Sequence, residues 1–366
     1  MGLNILLIAL VTSLACSIIG VFLVVRKMSM MTDAISHTVL LGIVLTFLLV
    51  PNLDSPLLIF GAILMGLITV TLIESLVKTK KVNEDAATGV VFPLLFSIAI
   101  IIITLFISDV HMDVDAVLLG KLELASIEKL FVFGVNIGPK SLYIGLLVLV
   151  INILFIIIFF KELKIVSFDS PLAKVLGISP IIIHYLLMVI VSFTAVTSFS
   201  SVGSVLVVAL MIGPAITAMQ FTKDLKYTII YSAIIAAFNT IVGYIIAINI
   251  NVTISGVIAT TTLVTFILVL LFNPISGILF KVYRRAKQKN EFAFLILLIH
   301  IFNHQNNNED EIRITNIHNE LNWSENKINF FIKLGIKEEY LINKNDLIFL
   351  TEKGIKFHNQ KIKSIT

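Results

Sequence analysis

The feature that most constrains this chain is a succession of apolar runs about twenty residues long, the length a helix needs to cross a bilayer. Nine segments answer to it: roughly 3–25, 28–50, 56–77, 87–108, 141–160, 180–200, 203–221, 228–249 and 252–272. In hydrocarbon every backbone N–H and C=O must be satisfied within the segment, so runs of this kind read as helices. The sixth and seventh are separated only by Ser200, Ser201 and Val202, so eight spans with a re-entrant segment is the other count. The chain is 58% hydrophobic and 14% charged, against about 25% charged in soluble domains. The fold class expected is an all-α polytopic membrane protein of about nine transmembrane helices.

Charge divides the chain. Residues 1–280 hold 13 Lys and Arg against 13 Asp and Glu, whereas 281–366 hold 14 against 10, so the net +4 comes from the tail. The expected domains are a transmembrane unit at 1–280, a basic linker at 281–290 and a soluble unit at 291–366. Arg26, Lys27, Lys78, Lys80, Lys81, Lys161, Lys164, Lys174, Lys223 and Lys226 fall in loops on one side, and only Lys121, Lys129 and Lys140 on the other. Lys and Arg mark the cytoplasmic side, so the N-terminus is expected outside and the C-terminus inside. The single cysteine, Cys16, excludes an intramolecular disulfide and a thiolate cluster, and reads as a small buried residue. Met1 to Asn4 supply no basic n-region, so the first segment reads as a retained span and not as a cleaved signal.

An ionisable side chain inside a span is costly and marks a candidate site. The second span holds two, Asp33 and His37. Four residues apart, they share one helical face, and at about 1.5 Å per residue His37 lies roughly 15 Å beyond Arg26 and Lys27. A carboxylate oxygen with an imidazole nitrogen suits Mn, Fe or Zn better than Cu(I), and is a poor all-oxygen cage for Ca or Mg. A structural Asp–His pair between helices and a proton relay are the other readings of the same residues. Asn152, Gln220 and Asn239 read as interhelical hydrogen-bond ties, and Glu74 and His184 lie near span ends, where polar groups reach water. Asp109, His111, Asp113 and Asp115 form an acidic outer mouth that raises local cation concentration or is simply a solvated loop.

Uphill transport needs a driver, and no phosphate-binding G-x-x-x-x-G-K-[ST] loop occurs: Gly120-Lys121 is followed by Leu122 and has no glycine five residues earlier. Two loops on the basic side suit a motor subunit. Phe168 to Gly177, with Asp169 as cap and Ala173 within, reads as a short helix ended by glycine. The loop around Lys223 and Asp224 is the second; either one, taken alone, also reads as a plain connector.

Four stretches then carry a resemblance: Arg26-Lys27-Met28 running into Asp33-Ala34-Ile35-Ser36-His37; Glu84 to Gly89; Phe168-Asp169 through Ala173 to Leu176-Gly177; and Val202-Gly203-Ser204 through Ala209 to Gly213-Pro214-Ala215. In this order, over roughly residues 3–275, they resemble the membrane permeases of bacterial ATP-binding-cassette importers for manganese, zinc and iron. The resemblance implies a fold like that of the vitamin-B12-type permeases, in the lipid of the bacterial plasma membrane. It also implies a second permease copy or paralogue, separate ATPase chains below, an extracytoplasmic metal-binding protein outside, and no enzymatic activity in this chain. It makes Asp33 and His37 the transient site for the transported Mn, Zn or Fe, with no permanently bound cofactor. It turns Phe168, Asp169, Ala173, Gly177, Lys223 and Asp224 toward the ATPase.

The chain runs about 85 residues beyond that family's usual length. The tail reads as helices at 292–302, 312–321 and 325–334, then a hairpin over 340–350 and Thr351-Glu352-Lys353-Gly354. This order is similar to the winged-helix part of metal-dependent repressors, without their later dimerisation helices and metal ligands. A basic cytoplasmic tail could contact nucleic acid or act as a protein-contact module. A gradient-driven transporter and a membrane-tethered metal-responsive regulator are the competing functions.

Overall fold

The computed structural model describes residues 2–52, 55–106, 122–132, 135–305 and 309–363. It divides into two compact units, Met1–Gly277 and Ile278–Thr366.

In the first unit the helices are α1 (Gly2–Val25), α2 (Ser29–Leu49), α3 (Pro56–Lys78), α4 (Glu84–Phe106), a short α5 (Leu122–Ala125), α6 (Lys140–Phe168), α7 (Ser170–Val175), α8 (Pro180–Val202), α9 (Ser204–Ala218), α10 (Leu225–Ile250) and α11 (Ile254–Phe272). Among the described residues eight of these, α1 to α4, α6, α8, α10 and α11, are long and apolar enough to cross a membrane. The apolar segment at 203–221, the seventh of the nine expected spans, departs from that expectation. Its helix α9 has 15 residues, about 22 Å at the α-helical rise and short of a hydrocarbon core of about 30 Å. The physical reason is Gly203, which at φ +83° ends α8 and starts α9 anew.

Two further departures concern segments without long apolar periodicity. Lys129–Val132 (β1) and Val135–Pro139 (β2) pair antiparallel, too short to register as alternating strands in the sequence. α6 runs on past residue 160 to Phe168, bending at Phe159 (φ −102°, ψ 18°), so Lys161 and Lys164 are helical.

α1 is the central element, packed against α6, α9 and α10. Small buried residues allow this: Ala9, Ser13, Ala15, Cys16 and Ser17 let neighbouring backbones approach, as membrane helices commonly do. Polar ties fix the register. Asn152 Nδ2 on α6 donates to the Ala15 carbonyl at 3.0 Å and to Thr194 Oγ1 on α8 at 3.0 Å. Ser232 on α10 donates to the Ser17 carbonyl at 3.1 Å, Thr265 donates to Asn239 Oδ1 at 2.7 Å, and Asn273 donates to the Gln220 carbonyl at 2.9 Å. Asn152→Ala is expected to destabilise the unit by about 0.6–1.7 kcal/mol, the range for interhelical hydrogen bonds in membranes, read as a lowered thermal midpoint in detergent.

The second unit comprises α12 (Ile278–His304), a 3-10 turn at Glu309–Ile312, α13 (Ile314–Glu320), α14 (Glu325–Lys337), β3 (Leu341–Lys344), β4 (Leu347–Leu350) and α15 (Glu352–Lys363). Residues 281–290, expected as a linker, are instead an exposed part of α12. The core gathers Leu297, Leu298, Ile301, Ile317, Phe331 and Ile348. β3 and β4 meet through Asn345 and Asp346, both at positive φ (50° and 64°). A two-residue hairpin turn of matching twist requires such angles, and Asn and Asp tolerate them.

Candidate metal site

Asp33 and His37 occupy the first turns of α2, with Oδ1 and Nε2 at 3.5 Å. Around them the helix is buried: Thr32, Ala34, Ile35, Ser36 and Thr38 are all enclosed. Met30, Asp33 and His37, spaced by three and four residues, form the open stripe, with the Asp33 side chain 39% and the His37 side chain 27% exposed. The pair therefore faces accessible space while its backbone is held rigidly.

Three contacts hold α2. A Cβ at Gly42 would meet the Gly61 carbonyl at 2.5 Å, so α2 and α3 touch backbone to backbone there. Thr69 Oγ1 donates to Thr38 Oγ1 at 2.8 Å, one residue beyond His37. From α4, Phe92 stacks on the His37 ring at 5.5 Å and Phe96 meets it edge-on at 5.7 Å. This aromatic wall restricts the imidazole on its apolar side.

The 3.5 Å separation has chemical content. With metal–ligand bonds of about 2.1 Å, it subtends about 110° at a shared cation, close to a tetrahedral angle. Among the described residues no three His, Cys, Asp or Glu side chains gather as a metal cluster. Among the described residues a cation here would find Asp33 and His37 as its carboxylate and imidazole ligands.

The other expected site residues are placed as follows. Asp169 Oδ1 accepts the Leu172 N–H at 2.9 Å and caps α7, Ala173 is buried, and Gly177 closes the turn at φ +79°. Around this cap Phe168, Leu172, Val175 and Leu176 stand exposed, an unusual apolar group at a helix end. Asp224 Oδ1 accepts the Lys226 N–H at 2.8 Å and caps α10, and Lys223 is exposed beside it. Asp109, His111, Asp113 and Asp115 lie outside the described residues.

Sequence reasoning did not join one further group. Glu74 on α3 and His184 on α8 meet with Oε1 and Nε2 at 2.5 Å, and Tyr185 donates to Glu74 Oε2 at 3.3 Å. They line a cavity of about 540 Å³ with Arg26, Lys78 and Glu84. Arg26 Nε donates to Ser167 Oγ at 3.0 Å. Burial pushes its guanidinium down to about 10, which leaves it charged at neutral pH.

Comparison with known proteins places this geometry in context. The model of the ABC 3 transport family matches residues 2–273. Over 279 residues, 76% of this chain and 94% of the relative, the sequence is 43% identical to the manganese transport system membrane protein MntD of Bacillus subtilis. Over 357 residues, 97% of each, it is 37% identical to the zinc transport system membrane protein TroD of Treponema pallidum. Among solved structures it is similar to PsaBC from Streptococcus pneumoniae in complex with Fab, with a TM-score of 0.63 and 33% identity over 75% of this chain and 92% of that one.

Proposed function

The chain belongs to the ABC 3 transport family, and on that premise we propose that it is the permease subunit of an ATP-binding-cassette importer. Its cargo is a divalent transition metal, carried across the bacterial plasma membrane. Manganese and zinc are the metals named for the two relatives; iron shares their ligand chemistry and is the third to assay. The observation that carries the reading is the carboxylate–imidazole pair on the open stripe of an otherwise buried helix. Metal pauses at Asp33 and His37, held firmly enough for selection and weakly enough for release.

The energy comes from a separate ATPase, since the chain has no phosphate-binding loop of its own. The exposed apolar group on α7 around Phe168, Asp169, Ala173 and Gly177 supports its role as one docking surface, and the Lys223–Asp224 loop is the other. The Lys and Arg distribution supports an external N-terminus and a cytoplasmic C-terminus. A second permease, identical or paralogous, completes the pathway, and an extracytoplasmic binding protein delivers metal at the acidic mouth of Asp109, His111, Asp113 and Asp115. The test is cellular Mn, Zn and Fe content in a deletion strain with and without the gene. Restored uptake that stops when the partner ATPase is inactivated supports the importer. Uptake that survives this and collapses with an uncoupler would make the chain a gradient-driven transporter.

His37 depends on its aromatic wall. Phe92→Ala removes a stacking contact worth about 0.5–1.5 kcal/mol, so the metal concentration for half-maximal uptake is expected to rise about 2- to 10-fold.

We read residues 278–366 as a winged-helix-like regulatory module, on the order of three helices, a hairpin and a closing helix. The MntD relative supports separability: 279 aligned residues already cover 94% of it, so it is shorter than this chain. A chain ending at Gly277 is expected to retain metal uptake within about twofold, because residues Met1–Gly277 are a compact unit with a core of their own. Loss of uptake on truncation would make the module part of the transport machinery. Specific DNA retention by the intact tail would make it a regulator of transcription.

A further inference from the structure

We propose that Glu74 and His184 form a second divalent-cation site, at the basic end of the bundle, which the transported metal occupies after leaving Asp33 and His37. The inference rests on the importer reading above. Glu74 Oε1 and His184 Nε2 lie 2.5 Å apart in ion-pair contact, and the imidazole is mostly enclosed, its side chain 15% exposed. A carboxylate oxygen and an imidazole nitrogen this close stand where two ligands share one edge of a coordination polyhedron. With bonds of about 2.1 Å, neighbouring octahedral ligands are about 3 Å apart, so admitting a cation opens the pair by about 0.5 Å.

Three features separate this pair from a plain structural ion pair. It opens onto a cavity of about 540 Å³, room for a hydrated ion. Glu84 lines the same cavity and keeps a buried carboxyl oxygen without a partner; it does not gather with the pair into a three-ligand cluster, and it adds negative charge to the space. Tyr185 braces the second Glu74 oxygen at 3.3 Å, leaving Oε1 toward the imidazole. The donor chemistry repeats that of Asp33 and His37, so the ligand class is the same: Mn or Zn in preference to Cu(I). Lys78 Nζ stands 3.8 Å from Glu74, and Arg26 lines the cavity. An arriving cation displaces one positive charge and is repelled by the other, which makes the site weak. Weakness suits an ion that must leave.

The test is Mn²⁺ binding to the purified full-length permease, followed by electron paramagnetic resonance of free Mn²⁺. Wild type is expected to titrate in two phases. D33A/H37A removes the tighter one, E74Q/H184Q removes the weaker one, and all four substitutions remove both. Two unchanged phases in E74Q/H184Q, or a single wild-type phase lost wholly in D33A/H37A, would overturn the second site. Failure of the importer reading looks different, because D33A/H37A would then titrate as wild type does. Should the double variant not fold, His184→Cys replaces imidazole by thiolate. It is expected to tighten Cd²⁺ binding by about tenfold or more while weakening Mn²⁺; unchanged Cd²⁺ affinity refutes the site.

Discussion

Asp33→Ala and His37→Ala, made separately, are each expected to lower metal accumulation by about 100-fold or more at normal membrane abundance. Groups that merely orient a metal ligand cost 10- to 100-fold when removed, and in the role proposed for this pair each substitution deletes a ligand itself. The cost should not come from misfolding. Both side chains lie on the open stripe of α2, and the contacts that hold the helix, Gly42 on Gly61 and Thr38 with Thr69, are untouched. Asp33→Glu keeps the carboxylate but lengthens its arm, so it should retain part of the flux and alter the ratio of Mn to Zn taken up. Accumulation of ⁵⁴Mn or ⁶⁵Zn in cells carrying each variant, with abundance checked by immunoblot, reads the result. Near wild-type accumulation in both alanine variants would remove Asp33 and His37 from the transport path.

What could be seen in advance divides along a physical line. Asp33 and His37 were legible as a pair because four residues on one helix is a local relation, set by the helical repeat alone. Their position on the open stripe was not legible, since it depends on which faces of α2 the helices α3, α4 and α8 cover. The eight long helices follow from apolar length. The shortness of α9 turns on the backbone angle of Gly203, which composition does not reveal, and the continuous α12 overrode a run of basic residues that read as a linker. Glu74 and His184 were each visible as polar residues near a span end. Their contact requires α3 to lie against α8 in a particular register, a tertiary fact with no local signal. The Asp169 cap on α7 depends on neighbours three residues apart and was legible for the same reason as the Asp33–His37 spacing.

The same dependence on close approach makes Gly20 the position where the smallest substitution should do the most damage. α1 passes α9 with Gly20 against the backbone of Met211, and an added Cβ would collide with the Met211 carbonyl oxygen, while its carbonyl carbon and Cα would lie 2.7 and 2.8 Å away. These are main-chain atoms of a helix, which no rotamer change moves aside. Gly20→Ala must therefore push two central helices apart, opening the packing around Ile19, Phe22, Val207 and Met211, all of which are buried. Overpacking a core by one methyl group commonly costs 1–3 kcal/mol, and with unyielding backbone on the far side about 3 kcal/mol or more is expected. Gly89→Ala is the contrast: nothing lies within 4 Å of its added Cβ, and alanine gains about 0.5–1 kcal/mol over glycine within a helix. Fluorescence-detected size exclusion after a heating series should show Gly20→Ala losing most of its monodisperse peak and Gly89→Ala holding or raising its midpoint. Equal behaviour of the two would mean that α1 and α9 do not approach as closely as their backbones indicate, and the packing that positions α2 with Asp33 and His37 would need another origin.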